Sequence, residues 1–93
     1  MLNELYQIVL DRKLNPKDGS YTNQLLAEGY QQIAQKVGEE AVEVIIAAGK
    51  QGRQRVIEET ADLIYHLWVL LVDQEIDLQA IETELEARHK RSS

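Results

Sequence analysis

The sequence predicts an all-α fold: four helices with short connections, packed as a bundle. Two observations carry that expectation. Apolar residues recur at helical spacing along nearly the whole chain. No alternating strand pattern, hairpin signal, internal repeat or low-complexity stretch competes with them. At 93 residues the chain reads as a single domain, 1–93, without room for a second.

The elements follow in order. Leu2, Leu5, Tyr6 and Val9 stand at i, i+3, i+4 and i+7, one face of a short first helix. Leu14-Asn15-Pro16-Lys17-Asp18-Gly19 reads as a loop, because proline biases its predecessor out of the helix and Asp-Gly is turn chemistry. Thr22 is then the expected N-cap of a long second helix, from about Asn23 to Ala48. Its core stripe is Leu26, Tyr30, Ile33, Val37, Ala41, Val44, Ile45 and Ala48. Gly29 and Gly38 lie inside it, each costing about 1 kcal/mol against Ala. They are either tolerated or mark a close approach to the backbone. Gly49 to Gly52 ends this helix.

A third helix runs from about Gln54 to Asp73. Its second half, Ala61 to Val72, is apolar nearly all round, which implies burial on more than one side. So short a chain has little interior, and a homo-oligomer, a homodimer or a dimer-based assembly, is expected. Trp68 is read as interface packing. Asp77 caps a fourth helix, with Ile76 and Ile81 placed as a hydrophobic staple. Ile81 and Leu85 continue its apolar face, Arg88, Lys90 and Arg91 suit its C-terminal end, and the Ser92-Ser93 tail is expected to fray.

Composition narrows the function. Ten Lys+Arg against sixteen Asp+Glu give a net charge of −6. The pI near 4.8 argues against nucleic acid or an anionic membrane as partner. With no Cys, thiolate metal sites, disulfides and a cysteine nucleophile are excluded. Leu63 to Val72, the longest apolar run, is about half of the roughly 20 residues a membrane span needs. No secretory signal follows Met1, so the expected setting is cytoplasmic.

The unusual feature is where the acids fall. At about 100° per residue, Glu40 and Glu43 flank the apolar stripe of the second helix. Glu59 lies in line with Leu63, His66 and Leu70, and Asp62 sits on the edge of that stripe. An i, i+3 pair points two carboxylates the same way. Two such pairs on facing helices gather four carboxylates, which repel in a low-dielectric site unless they protonate or find a cation. Hard oxygen donors suit Mg²⁺, with Mn²⁺ as an alternative. Di-iron bundles use Glu-x-x-His, and neither acidic pair here carries a His at that spacing. A solvated acidic face is the competing reading.

Glu40-x-x-Glu43, fifteen residues, then Glu59-x-x-Asp62 resembles the signature of the MazG-like all-α nucleoside triphosphate pyrophosphohydrolases. Ser20-Tyr21-Thr22, Lys36-Val37-Gly38-Glu39-Glu40-Ala41 and Ala61-Asp62-Leu63-Ile64-Tyr65-His66-Leu67 narrow the likeness to the phosphoribosyl-ATP pyrophosphohydrolases of histidine biosynthesis. The resemblance covers about Leu2 to Arg88. It implies a dimeric helical enzyme that hydrolyses phosphoribosyl-ATP to phosphoribosyl-AMP and pyrophosphate with Mg²⁺. On that footing Glu40, Glu43, Glu59 and Asp62 hold the metal.

The remaining roles are expectations of the same kind. Glu39 is a candidate water-activating base, against a solvated or inter-subunit acid. Lys36 either contacts a phosphate or pairs with Glu40 or Glu43. Ser20, Tyr21 and Thr22 offer hydroxyls and N-terminal amides to phosphate or ribose, against ordinary capping. His66 orients Asp62 or touches substrate, against a satisfied core histidine. Arg53 and Arg55 precede the second acidic pair and are best read as surface partners of Glu58 or Glu59. Two other functions stay open: a house-cleaning pyrophosphatase for dCTP, dUTP or a damaged triphosphate, and a non-catalytic helical dimerisation module.

Overall fold

Pro16 and the Asp18-Gly19 turn end the first helix within the expected loop. The structure, a computed structural model, describes residues 1–92, and their regular structure is helical throughout. The elements are α1 (Leu2–Leu14), α2 (Tyr21–Glu28), α3 (Tyr30–Lys50), α4 (Arg53–Asp73) and α5 (Leu78–Ser92). Of the tail expected to fray, Ser92 ends α5 and Ser93 lies outside the described residues. No described helix is long and apolar enough to cross a membrane.

Among the described residues five helices stand where four were expected, because Gly29 divides the second. Its φ of 95° and ψ of −177° belong to a region that side chains with a Cβ avoid. Gly29 N–H still donates to the Leu25 carbonyl at 3.2 Å, and its own carbonyl accepts from Ile33 N–H at 3.2 Å. One residue therefore closes α2 and opens α3 in a new direction. Nothing lies within 4 Å of a Cβ built at Gly29 or Gly38, so no close approach within the chain accounts for either glycine. Gly29→Ala is expected to lower folding stability by about 1–3 kcal/mol through backbone strain alone. A denaturant midpoint unchanged from wild type would contradict that.

The cap of α2 is also displaced from the expected Thr22. Ser20, in extended geometry, caps the helix, and its Oγ accepts from Asn23 N–H at 3.2 Å. Thr22 falls inside the first turn and spends its hydroxyl on α4. Asn23 fastens the preceding loop, donating to the Arg12 carbonyl at 2.7 Å and accepting from Lys17 N–H at 2.8 Å.

Gln51 and Gly52 join α3 to α4, and these two helices form the main packing contact of the chain. Tyr6 and Val9 of α1, Leu25 of α2, Ile33 of α3, and Val69 and Val72 of α4 fill the core, closed at one end by Leu78. Trp68, expected at an interface, donates its indole N–H to the Leu2 carbonyl at 2.8 Å. α4 ends in a Schellman motif with Glu75 at φ 58°: Ile76 N–H reaches the Leu71 carbonyl and Glu75 N–H the Val72 carbonyl. Tyr6 donates its hydroxyl to the Ile76 carbonyl at 2.6 Å, and burial, followed by the charge of Asp77, raises that phenol's pKa.

α5 is capped as expected, with Asp77 Oδ1 accepting from Gln79 N–H at 3.2 Å. Beyond Leu78 it packs little against the other helices, and Ile81 and Leu85 are exposed. The radius of gyration, 14.8 Å, accordingly exceeds the roughly 12 Å of a close-packed chain of this length.

The core face of α3 is rotated from the predicted stripe. Ile33 and Ala47 are fully buried, and Val37, Glu40 and Val44 between them are half-buried. Tyr30, Ile45 and Ala48, expected inside, are exposed. The helix carries two apolar stripes, and only one faces α4.

Candidate metal centre

Glu40 is part of that inner stripe. Ile33, Val37, Glu40, Val44 and Ala47 follow the i, i+4, i+3 rhythm that keeps one face towards a neighbouring helix. On α4, Glu59, His66 and Val69 are buried along the facing stripe. Packing α3 on α4 therefore brings acids from both helices together. One carboxylate oxygen from each of Glu40, Glu59 and Asp62 lies within 4.8 Å of the others. Glu59 is only 6% exposed, Glu40 is half-buried, and Asp62 opens to solvent. Glu43, expected with them, stands outside this group, although it is half-buried one turn after Glu40.

The cluster is electrostatically uncomfortable. Glu40's carboxyl is pushed above its ordinary pKa, first by burial, then by the charge of Asp62, then by a hydrogen bond and charge from Glu59; His66 opposes. Arg55, one turn before Glu59, forms an ion pair with it and a second with Glu58 at 2.5 Å. The surface pairing expected of Arg55 is thus present.

Behind the acids lies an aromatic knot. His66 Nδ1 is 2.8 Å from the Asp62 carbonyl. A carbonyl oxygen only accepts, so Nδ1 carries a proton, and a neutral ring then presents Nε2 to the Tyr21 hydroxyl 3.3 Å away. Tyr65 stacks on Tyr21, with ring centroids 6.3 Å apart, and meets His66 edge-on at 5.0 Å. Its hydroxyl pairs with Thr22 Oγ1 at 2.5 Å. Burial raises the Tyr65 pKa and the Thr22 bond opposes it, so the phenol stays neutral at physiological pH. Sequence reasoning missed Tyr65 as a site residue. The available signal was a tyrosine within an apolar run, whose hydroxyl must find a partner when buried.

The other expected site residues are placed as follows. Tyr21, Thr22 and His66 meet across the α2–α4 contact. The Ser20 hydroxyl is engaged as a cap. Glu39 faces away from the acids, accepting from Gln35 at 3.2 Å, and Lys36 lies 3.9 Å from Glu39 rather than pairing with Glu40 or Glu43. A recess of about 520 Å³ lies elsewhere, lined by Tyr6, Leu10, Lys13, Val72 and Asp77 among others, and holds none of these groups.

A family model described as phosphoribosyl-ATP pyrophosphohydrolase matches residues 2–89. The chain belongs to this family. A phosphoribosyl-ATP pyrophosphatase of Listeria monocytogenes is 53% identical over 93 residues, covering 100% of this chain and 89% of the relative. One from Sulfurisphaera tokodaii is 51% identical over 90 residues, 97% and 96% of the two chains. The histidine biosynthesis bifunctional protein HisIE of Caldanaerobacter subterraneus is 50% identical over 91 residues, and there the match takes in 98% of this chain but 44% of the relative. Membership of the phosphoribosyl-ATP pyrophosphohydrolase family makes the acids candidates for catalytic work rather than surface decoration.

The donor set fits a hard dication. All three groups are carboxylates from rigid helices. Oxygens bound to one Mg²⁺ lie up to about 4.2 Å apart, so donors within 4.8 Å need only small side-chain rotations to share an ion.

Proposed function

We propose that this chain hydrolyses phosphoribosyl-ATP to phosphoribosyl-AMP and pyrophosphate, the second step of histidine biosynthesis, at a Mg²⁺ site built on Glu40, Glu59 and Asp62. Glu43, the next acid on α3, completes the set through a rotamer change or a bridging water. Mn²⁺ suits the same donors. The observation that carries this reading is the convergence of three carboxylates from two helices, one almost fully buried. Such a group is tolerable near neutral pH with a cation among it.

The net charge of −6 sharpens the argument. A polyphosphate meets repulsion here unless cations intervene. Mg²⁺, when bound, supplies neutralisation of the phosphate oxygens and a more acidic water for attack on the α–β phosphoanhydride. The protein's part is positioning. α3 and α4 hold the carboxylates, while the start of α2, with Ser20, Tyr21 and Thr22, receives phosphate or ribose, the three hydroxyls exchanging their partners Asn23 N–H, His66 and Tyr65 for substrate. His66 ties Tyr21 to the Asp62 backbone and so fixes α2 against the acids. Lys36 adds a positive charge one turn before Glu40. Glu39 is the candidate proton acceptor for the attacking water, once freed from Gln35 and Lys36.

The same reading includes a homodimer in the cytoplasm. Val42 and Ile45 are exposed on the second apolar stripe of α3, beside Ile46. A second copy is the natural cover for a surface of this kind.

The test of substrate is pyrophosphate release from phosphoribosyl-ATP, dCTP and dUTP, each with Mg²⁺ and with chelator. The expected result is Mg²⁺-dependent release with kcat/KM for phosphoribosyl-ATP at least about a hundredfold above the others, because hydrogen-bonding contacts to a second phosphoribosyl group are lost with simple triphosphates. Equal rates on all three, or release unaffected by chelation, would sink it.

A further inference from the structure

Arg55 is the one cation paired to the acid cluster among the described residues. Its guanidinium forks between Glu58 and Glu59, one nitrogen to each. The two carboxylates differ. Glu58 is about half exposed and water solvates it; Glu59 is buried beside Glu40 and Asp62. Arg55 is itself 47% exposed, so it reaches Glu59 from the solvent side. Without a bound ion it is what offsets the charge of the buried carboxylate.

We propose that Arg55 is a hand-over arm: it neutralises Glu59 in the metal-free chain, yields that carboxylate when a dication enters, and then grips a phosphate oxygen of the nucleotide. The proposal rests on the metal-site reading above. A dication among Glu40, Glu59 and Asp62 repels a guanidinium held on the same carboxylate. Released, Arg55 still hinges on the first turn of α4, next to the cluster where the polyphosphate is bridged. Its planar fork matches phosphate oxygens in two-point geometry, which the point charge of lysine does not. A site that starts crowded with acids thus acquires a free cation when the ion arrives.

The test uses the full chain with Arg55→Gln and Arg55→Lys, and Mn²⁺ alone as the probe. In chelator Arg55→Gln is expected to melt below wild type, and saturating Mn²⁺ closes that gap. Calorimetry should show Mn²⁺ binding Arg55→Gln about threefold tighter than wild type, since no resident cation competes for Glu59. Arg55→Lys, which keeps the charge, should melt like wild type in chelator. With Mg²⁺ and phosphoribosyl-ATP, both variants should raise KM by about tenfold, more than they lower kcat.

A purely structural arginine would leave the melting gap unchanged by Mn²⁺, which overturns the proposal. Mn²⁺ binding equal to or weaker than wild type in Arg55→Gln, or unchanged KM in both variants, overturns it too. Should wild type itself give no Mn²⁺ heat, the metal reading falls and the hand-over falls with it. Heat in wild type without any gain in Arg55→Gln removes the hand-over alone.

Discussion

Glu59→Gln is expected to lower kcat/KM for phosphoribosyl-ATP by about a thousandfold while leaving a folded protein. The magnitude follows from the role assigned to the site. Charge neutralisation at a phosphoryl centre is worth several kcal/mol, and about 4 kcal/mol is three powers of ten in rate. Glu59 is the most buried member of the cluster, so the chain holds it more rigidly than Asp62, which opens to solvent. Folding should survive because the substitution removes a buried charge from beside Glu40 and Asp62. The relief of that repulsion offsets loss of the Arg55 pair. Asp62→Asn should follow in the same direction. The check is steady-state pyrophosphate release alongside melting in chelator. Near-wild-type rates in both variants would detach the chemistry from these acids altogether.

Much of this site was legible because its parts are local patterns. Acids at i, i+3 beside an apolar stripe can be placed on a helix from sequence alone, and Glu59 is buried where the periodicity put it. Asp77 was recognisable as a cap because the cap depends on two neighbouring residues. The Gly29 break was hidden. Glycine within a helical pattern signals a modest propensity cost, and nothing local tells whether φ will turn positive. Missing that break also hid the kink that sets Tyr21 and Thr22 on a helix of their own.

The contacts of Tyr21 with His66 and of Thr22 with Tyr65 join residues 45 and 43 positions apart. Periodicity gives a face, without naming the helix that face meets. The two stripes of α3 show the same limit. Ile45 adjoins Ala41 and Ala48 on a helical wheel, and these lead round to Val44, so one broad core face looked sufficient. The fold divides it, with Glu40 inside and Ile45 outside.

That outer stripe leads to the second large effect: Ile45→Glu is expected to convert the proposed dimer into a monomer. Gly38, Val42, Ile45 and Gly49 follow i, i+4, i+3, i+4 along α3, and all four are exposed in the single chain. Ile45 is 71% and Val42 53% exposed. The glycines leave space at each end, with nothing within 4 Å of an added Cβ, so a second helix can come close there. The half-buried Leu67 and Leu71 of α4 point to the same need, since the apolar run of that helix is incompletely covered by its own chain. Burying one isoleucine contributes about 1.5–3 kcal/mol. A two-fold interface counts each residue twice, so losing Ile45 removes about 3–6 kcal/mol, a rise of at least about a hundredfold in dissociation constant. A glutamate in its place adds the cost of desolvating a charge. Sedimentation of wild type and variant over a dilution series measures this directly, and an unchanged mass for Ile45→Glu would mean that the partner copy sits on another face.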